Sequence, residues 1–135
     1  MSRGLRNRNP GNIRRSAVKY KGETTSTDPD FKAFESLAWG YRAMFVLLHT
    51  YRVKHNCRTL REMISRWAPP SENHTENYIK AVSSWAGMAP DREVDTKDKV
   101  TMIRIVKAMS TVENGVSAQL SDVLAGWELF EKFQV

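Results

Sequence analysis

The chain has 135 residues, 41% of them apolar and 27% charged, which suits one globular domain and excludes a disordered tail, a collagenous chain and a disulfide scaffold. With a single cysteine, Cys57, no internal disulfide forms, and the longest apolar run, Ala43 to Leu48, is far short of the ~20 residues of a membrane helix. The formal net charge of +6 sits at one end: residues 1–22 hold seven Arg and Lys and no acid, whereas the other 113 carry 14 basic and 15 acidic side chains. Such a segment suits steering toward a polyanion, either nucleic acid or an acidic wall polymer, or is a solvated arm with no specific partner.

Met1-Ser2-Arg3-Gly4 leads into polar sequence, so no secretory signal peptide is expected and the product is made in the cytoplasm. Asn9-Pro10-Gly11-Asn12 is a turn signal. Ile13 to Tyr20 then reads as a short strand, Lys21-Gly22 as a break, and Thr24, Thr25 and Thr27 as extended chain. Asp28-Pro29-Asp30 is a second turn, and Phe31 to Phe34 a short half-buried strand. Five helices follow. The first is capped by Ser36, carries Leu37, Tyr41, Met44, Phe45, Leu48 and Tyr51 on one stripe, and stops near Asn56. Thr59 and Glu62 form a capping box for the second, which buries Leu60, Met63, Ile64 and Trp67 and ends at Pro69-Pro70. The third is capped by Asn73 or Thr75, turns Tyr78, Ile79 and Val82 inward and closes near Gly87. The fourth spans about 97–112, with Val100, Ile103, Val106 and Met109 on its buried face and Gly115 beyond it. The last runs from Ser117 or Ser121 to Phe133 through Leu120, Val123, Leu124, Trp127 and Phe130. The expected fold is α+β and mostly α: a basic turn and β segment over 1–35 and a helical lobe over 36–135, forming one domain.

The chemistry-bearing residues are few. His49, His55 and His74 pair with no cysteine at a zinc spacing, and there is no phosphate-binding glycine loop, so neither metal nor cofactor is expected. A Cys57–His55 nucleophile pair is disfavoured, because residues two apart on a helix do not face each other. Carboxylates remain. Glu23 is the first acid in the chain, with Asp28 and Asp30 across the expected hairpin. One protonated and one ionised carboxyl suit glycoside cleavage; three ordinary turn acids in a solvated loop are the alternative. A second group is Trp67 and Tyr78 bracketing a proline-stiffened loop with Glu72, Asn73 and Thr75. Aromatic faces with amides and hydroxyls suit a sugar, and core packing with a helix cap is the other reading.

The run Arg3-Gly4-Leu5-Arg6-Asn7-Arg8-Asn9-Pro10-Gly11-Asn12-Ile13-Arg14 resembles the opening of a set of phage and prophage proteins, described as virion structural proteins or as lysozyme-like and transglycosylase-like. Tyr20-x-Gly22-Glu23, Phe31-x-x-Phe34, Gly40-Tyr41-Arg42-Ala43 and Arg66-Trp67-Ala68-Pro69-Pro70 with Glu72-Asn73-x-Thr75-x-x-Tyr78 extend the likeness over residues 3–88. A looser similarity links the chain to bacterial glucosaminidases of peptidoglycan, with Tyr78 at their loop-to-helix tyrosine. The resemblance implies a lysozyme-like fold with a glycan cleft between the β element and the helices. It departs from that pattern in one respect: lysozyme-like enzymes usually carry the catalytic glutamate on a helix before the β element, and no acid precedes Glu23 here.

The leading expectation is therefore a phage-type muramidase or lytic transglycosylase acting on peptidoglycan glycan strands at the cell wall or in a virion. Glu23 is its general acid, Asp28 or Asp30 its electrostatic partner, and Glu35 the substitute acid. Asn12, Trp67, Glu72, Asn73, Thr75 and Tyr78 line the sugar subsites. The alternative is a non-catalytic wall-binding or virion structural module contacting other virion proteins, and the third reading a basic nucleic-acid binder.

Overall fold

A computed structural model describes residues 1–71 and 73–133. The helical expectations hold in kind: α2 (Leu37–Lys54), α3 (Leu60–Trp67), α4 (Thr75–Ala86), α5 (Lys99–Asn114) and α6 (Leu120–Lys132) are all present. They follow α1 (Arg3–Arg6), β1 (Glu23–Thr24) and β2 (Ala33–Phe34). The protein is α+β and mostly α, and no helix among the described residues is long and apolar enough to cross a membrane.

Local chemistry sets the helix ends. Ser36 accepts the Trp39 amide at the start of α2, and Thr59 and Glu62 close a reciprocal capping box on α3. Gly87 and Gly115 end α4 and α5 in the left-handed conformation. α2 is the central helix. It buries Tyr41, Met44, Phe45 and Leu48, α6 lies along it through Trp127 and Phe130, and α5 packs on α4. Phe45, Trp127 and Phe130 form an aromatic cluster with ring centroids 5.0–6.0 Å apart.

Several expectations are corrected. α1 lies inside a segment read as turn, one helical turn capped by Ser2, too short to carry periodicity. Residues 13–20 do not form a strand and contribute only a bridge between Arg14 and Phe31. The reason is competition for their backbone: Asn9 binds both the Ile13 N–H and its carbonyl, and the Lys32 ammonium takes the carbonyls of Ser16 and Val18. The sheet is β1 paired antiparallel with β2, Glu23 opposite Phe34 and Thr24 opposite Ala33. α5 begins two residues later than expected, because Asp98 caps it by accepting the Thr101 amide. Val100 is 59% exposed rather than buried, and Met102 and Ile105 take the inward face beside Val106 and Met109. Leu120 is likewise exposed, and α6 starts there without a side-chain cap from Ser117 or Ser121. His74, not Asn73 or Thr75, is the cap residue of α4; Thr75 instead donates its hydroxyl to the Ala68 carbonyl.

The N-terminal turn is seated by Asn9, which is fully buried. Its side-chain amide donates to the Ile13 and Lys32 carbonyls at 3.0 and 2.9 Å and accepts the Ile13 N–H at 2.9 Å. Gly40 lets this turn approach α2, because a Cβ there would lie 2.2 Å from the Arg8 carbonyl oxygen. Asn9→Ala leaves one buried donor and two buried acceptors without that partner. It is expected to lower the unfolding free energy by about 3 kcal/mol and the thermal midpoint by roughly 10 °C, read by chemical and thermal denaturation.

Candidate functional site

The turn at 9–12, the irregular run 13–18, α2 and the C-terminal end of α3 enclose a groove of about 390 Å³. One wall is aromatic: Tyr20, Tyr51 and Trp67, with the Tyr51 and Trp67 rings edge to face at 6.1 Å. Trp67 is held by its indole N–H, which donates to the Gly11 carbonyl at 3.1 Å. Gly11 is required there, because a Cβ would fall 2.7 Å from the Trp67 ring. Arg14, Arg15 and Arg66 supply positive charge, and Arg66 stacks over Tyr51 at 5.2 Å.

The described carboxylate lining this groove is Glu113, from the last turn of α5. Asn12 Nδ2 donates to its Oε1 at 2.9 Å, and the Tyr78 hydroxyl donates to its Oε2 at 2.9 Å. Burial raises the Glu113 pKa from its ordinary value, against the opposing pull of Asn12, Tyr78, the Trp67 indole and the Arg14 charge. Its place at the negative end of a helix acts in the same direction as burial. The Tyr78 phenol is pushed well up by its own burial and by the Glu113 charge, so it remains a donor. The result is a carboxyl kept protonated at higher pH than an exposed one, facing an aromatic and cationic groove. That is the state a proton donor to a leaving oxygen requires.

The sequence-predicted residues divide. Asn12, Trp67 and Asn73 line the groove, and Tyr78 stands behind it as the partner of Glu113. Thr75 is buried at the start of α4, and Glu72 lies outside the described residues. Asp28 and Asp30 meet on Arg3 while Glu23 pairs with Lys32, and none of the three lines the groove. Glu23 is 16% exposed on β1, where both carboxylate oxygens lie 3.1 Å from Lys32 Nζ and Oε1 accepts the Tyr20 amide. Asp28 is gripped by the Arg3 guanidinium at 2.6 and 2.7 Å, which holds its carboxyl well below the usual range, and Arg3 also reaches Asp30 at 2.9 Å. Glu35 is exposed beside β2.

Glu113 is the residue that sequence reading missed. Its signal was an acid four residues after Met109, in register with the buried stripe of α5, where an exposed face is the rule for glutamate.

No family model matches the chain. It is 36% identical over 118 residues to Protein P5 of Pseudoalteromonas phage PM2, a match spanning 84% of this chain and 72% of that protein. The chain belongs to the family of that phage protein, and the phage half of the N-terminal resemblance is thereby shown.

Because the folded-state pKa of Glu113 is raised, the wild type loses stability as pH rises from the ordinary glutamate range through that higher value. Glu113→Gln removes the ionisation. It is expected to raise the thermal midpoint at pH 7.5 by about 3–5 °C per kcal/mol relieved, with the gain vanishing near pH 4, as measured by thermal unfolding at both pH values.

Proposed function

We propose that this member of the phage PM2 Protein P5 family binds a peptidoglycan glycan strand in the groove and cleaves it, with Glu113 as general acid. The observation that carries this reading is the raised, doubly held carboxyl of Glu113 facing Trp67 and Tyr51. Sugar C–H faces stack on the rings, while Asn73 and the arginines offer donors to hydroxyl and carbonyl oxygens. Glu113 gives its proton to the glycosidic oxygen as the bond to the anomeric carbon breaks. The cation left at that carbon is captured by water or by a hydroxyl of the same sugar, and the Glu113 carboxylate takes the proton released. One carboxyl suffices for that sequence, which suits a groove with a single described acid. The departure noted in the sequence takes another form here: a glutamate does lie in the last turn of a helix and line the groove, but that helix follows the β element in the chain.

A second reading is a non-catalytic module, glycan-binding or structural in the virion and contacting other virion proteins. The phage relative and the separation of Glu23 from Asp28 and Asp30 favour it. Nucleic-acid binding is the third reading, on the basic N-terminal segment.

Purified peptidoglycan digested with the wild type, Glu113→Gln and Glu23→Gln, with soluble products read by mass spectrometry, separates these readings. Cleavage by Glu113 predicts fragments from the wild type and from folded Glu23→Gln, and a rate lower by about 10³-fold in Glu113→Gln. Its rate falls as pH rises through the raised Glu113 pKa, where the acid form is lost. Loss in Glu23→Gln alone moves the acid to β1. Sedimentation with the wall and no fragments from any variant leaves a binding module.

A further inference from the structure

A second space of about 740 Å³ adjoins the groove, and Tyr20, Leu47, Tyr51 and Arg66 line both. Five cations line this chamber, Lys19, Lys21, Arg42, Lys54 and Arg66, and its lining holds no Asp or Glu. Arg42 is unusual among them. It is 2% exposed, it meets no carboxylate among the described residues, and its described hydrogen bond runs to the Phe133 carbonyl at 2.6 Å. Its Nε is buried without a partner among the described residues. A buried guanidinium with an unpaired donor is costly, and a cavity lined by it with four further cations is built for negative charge. Glu23, the acid next to this wall in sequence, is committed to Lys32. The remaining lining is mostly apolar or aromatic, including Val46, Leu47, Tyr20 and Tyr51, with the polar Thr50 and His55 beside them.

We propose that this chamber receives an acidic peptide branching from the glycan held in the groove, its carboxylates meeting the lysines and the Arg42 and Arg66 guanidinium groups. The proposal rests on the glycan reading above and adds what distinguishes one glycan from another. A mixed apolar and cationic lining suits a peptide with free carboxylates, whereas a bare phosphodiester chain has no apolar side groups for Val46 and Leu47. The two spaces share a wall, so a ligand stacked on Trp67 reaches the cations through a side branch. Guanidinium forks recognise carboxylates in a bidentate way that lysine does not. The cluster also takes in two of the seven basic residues of the N-terminal segment, Lys19 and Lys21.

Calorimetric titration of the full chain tests this with four probes: an N-acetylated disaccharide carrying a lactyl-linked acidic peptide, the same disaccharide without peptide, the free peptide, and a single-stranded oligonucleotide. The peptide-bearing sugar is expected to bind at least ten times more tightly than the bare one, by about the 1.4 kcal/mol of a tenfold ratio. The Lys19→Gln, Lys21→Gln, Lys54→Gln triple variant is expected to abolish that advantage and leave the bare sugar unchanged. Arg42→Lys, which keeps the charge and removes the fork, is expected to weaken the peptide-bearing sugar alone. If burial of Arg42 makes that variant unstable, the triple variant still decides. Equal binding of the two sugars, or an advantage surviving in the triple variant, overturns the proposal, as does tighter binding of the oligonucleotide. Free peptide bound through the lysines, with no affinity for the bare sugar, keeps the chamber and removes the glycan.

Discussion

The side-chain amide of Asn9 is the constraint on which the N-terminal third depends. One buried group holds the Ile13 peptide on both sides and the Lys32 carbonyl beyond it, so the turn at 9–12, the run after it and β2 are a single unit. Fixing that unit against α2 and α5 sets Gly11 beneath Trp67 and Asn12 beside Glu113. Asn12 adopts a left-handed backbone, which asparagine tolerates better than most residues. The groove is thus a consequence of how the turn is seated. After Ile13 and Arg15 pair with Lys32 and Asp30, the ladder stops and the carbonyls of Ser16 and Val18 turn to the Lys32 ammonium, which leaves residues 14–18 to form a wall.

Charge is sorted in the same region. Arg3 clamps Asp28 and Asp30, Arg15 binds the Asp28 and Ser26 carbonyls, and Arg8 reaches the Glu35 carbonyl. Lys32, 2% exposed, answers Glu23 and two carbonyls. These cations serve the fold, which is a local use of charge that counting alone reads as an arm for a polyanion. Glu23, Asp28 and Asp30 are used up by the same pairing. Among the described residues, what remains toward the groove and its adjoining chamber is one protonatable carboxyl on one side and a group of cations on the other. That asymmetry links the proposed chemistry at Glu113 with the proposed recognition of acidic branches.

Much of the helical lobe was legible because its signals are short-range. The Thr59–Glu62 capping box, the Ser36 cap, the Tyr41–Met44–Phe45–Leu48 stripe and the glycines at 87 and 115 each act within a few residues. The errors fall where a distant partner decides. Val100 and Leu120 look like core at their helix starts, and only the packing of α5 and α6 turns them outward. Residues 13–20 have strand composition, but their backbone pairing stops after Ile13 and Arg15 meet Lys32 and Asp30, and the carbonyls of Ser16 and Val18 go to the Lys32 ammonium.

By itself the sequence determined the class of fold, five helices with their main boundaries, the phage resemblance and the groove residues Asn12, Trp67 and Asn73, because caps, periodicity and turn chemistry are written within a few positions. The tertiary structure alone decided which acid faces the groove. Glu113 and Asn12 are 101 residues apart, and Glu113 and Tyr78 are 35 apart. A carboxyl's pKa follows from burial and neighbours, and both arise only when those distant segments are packed against each other.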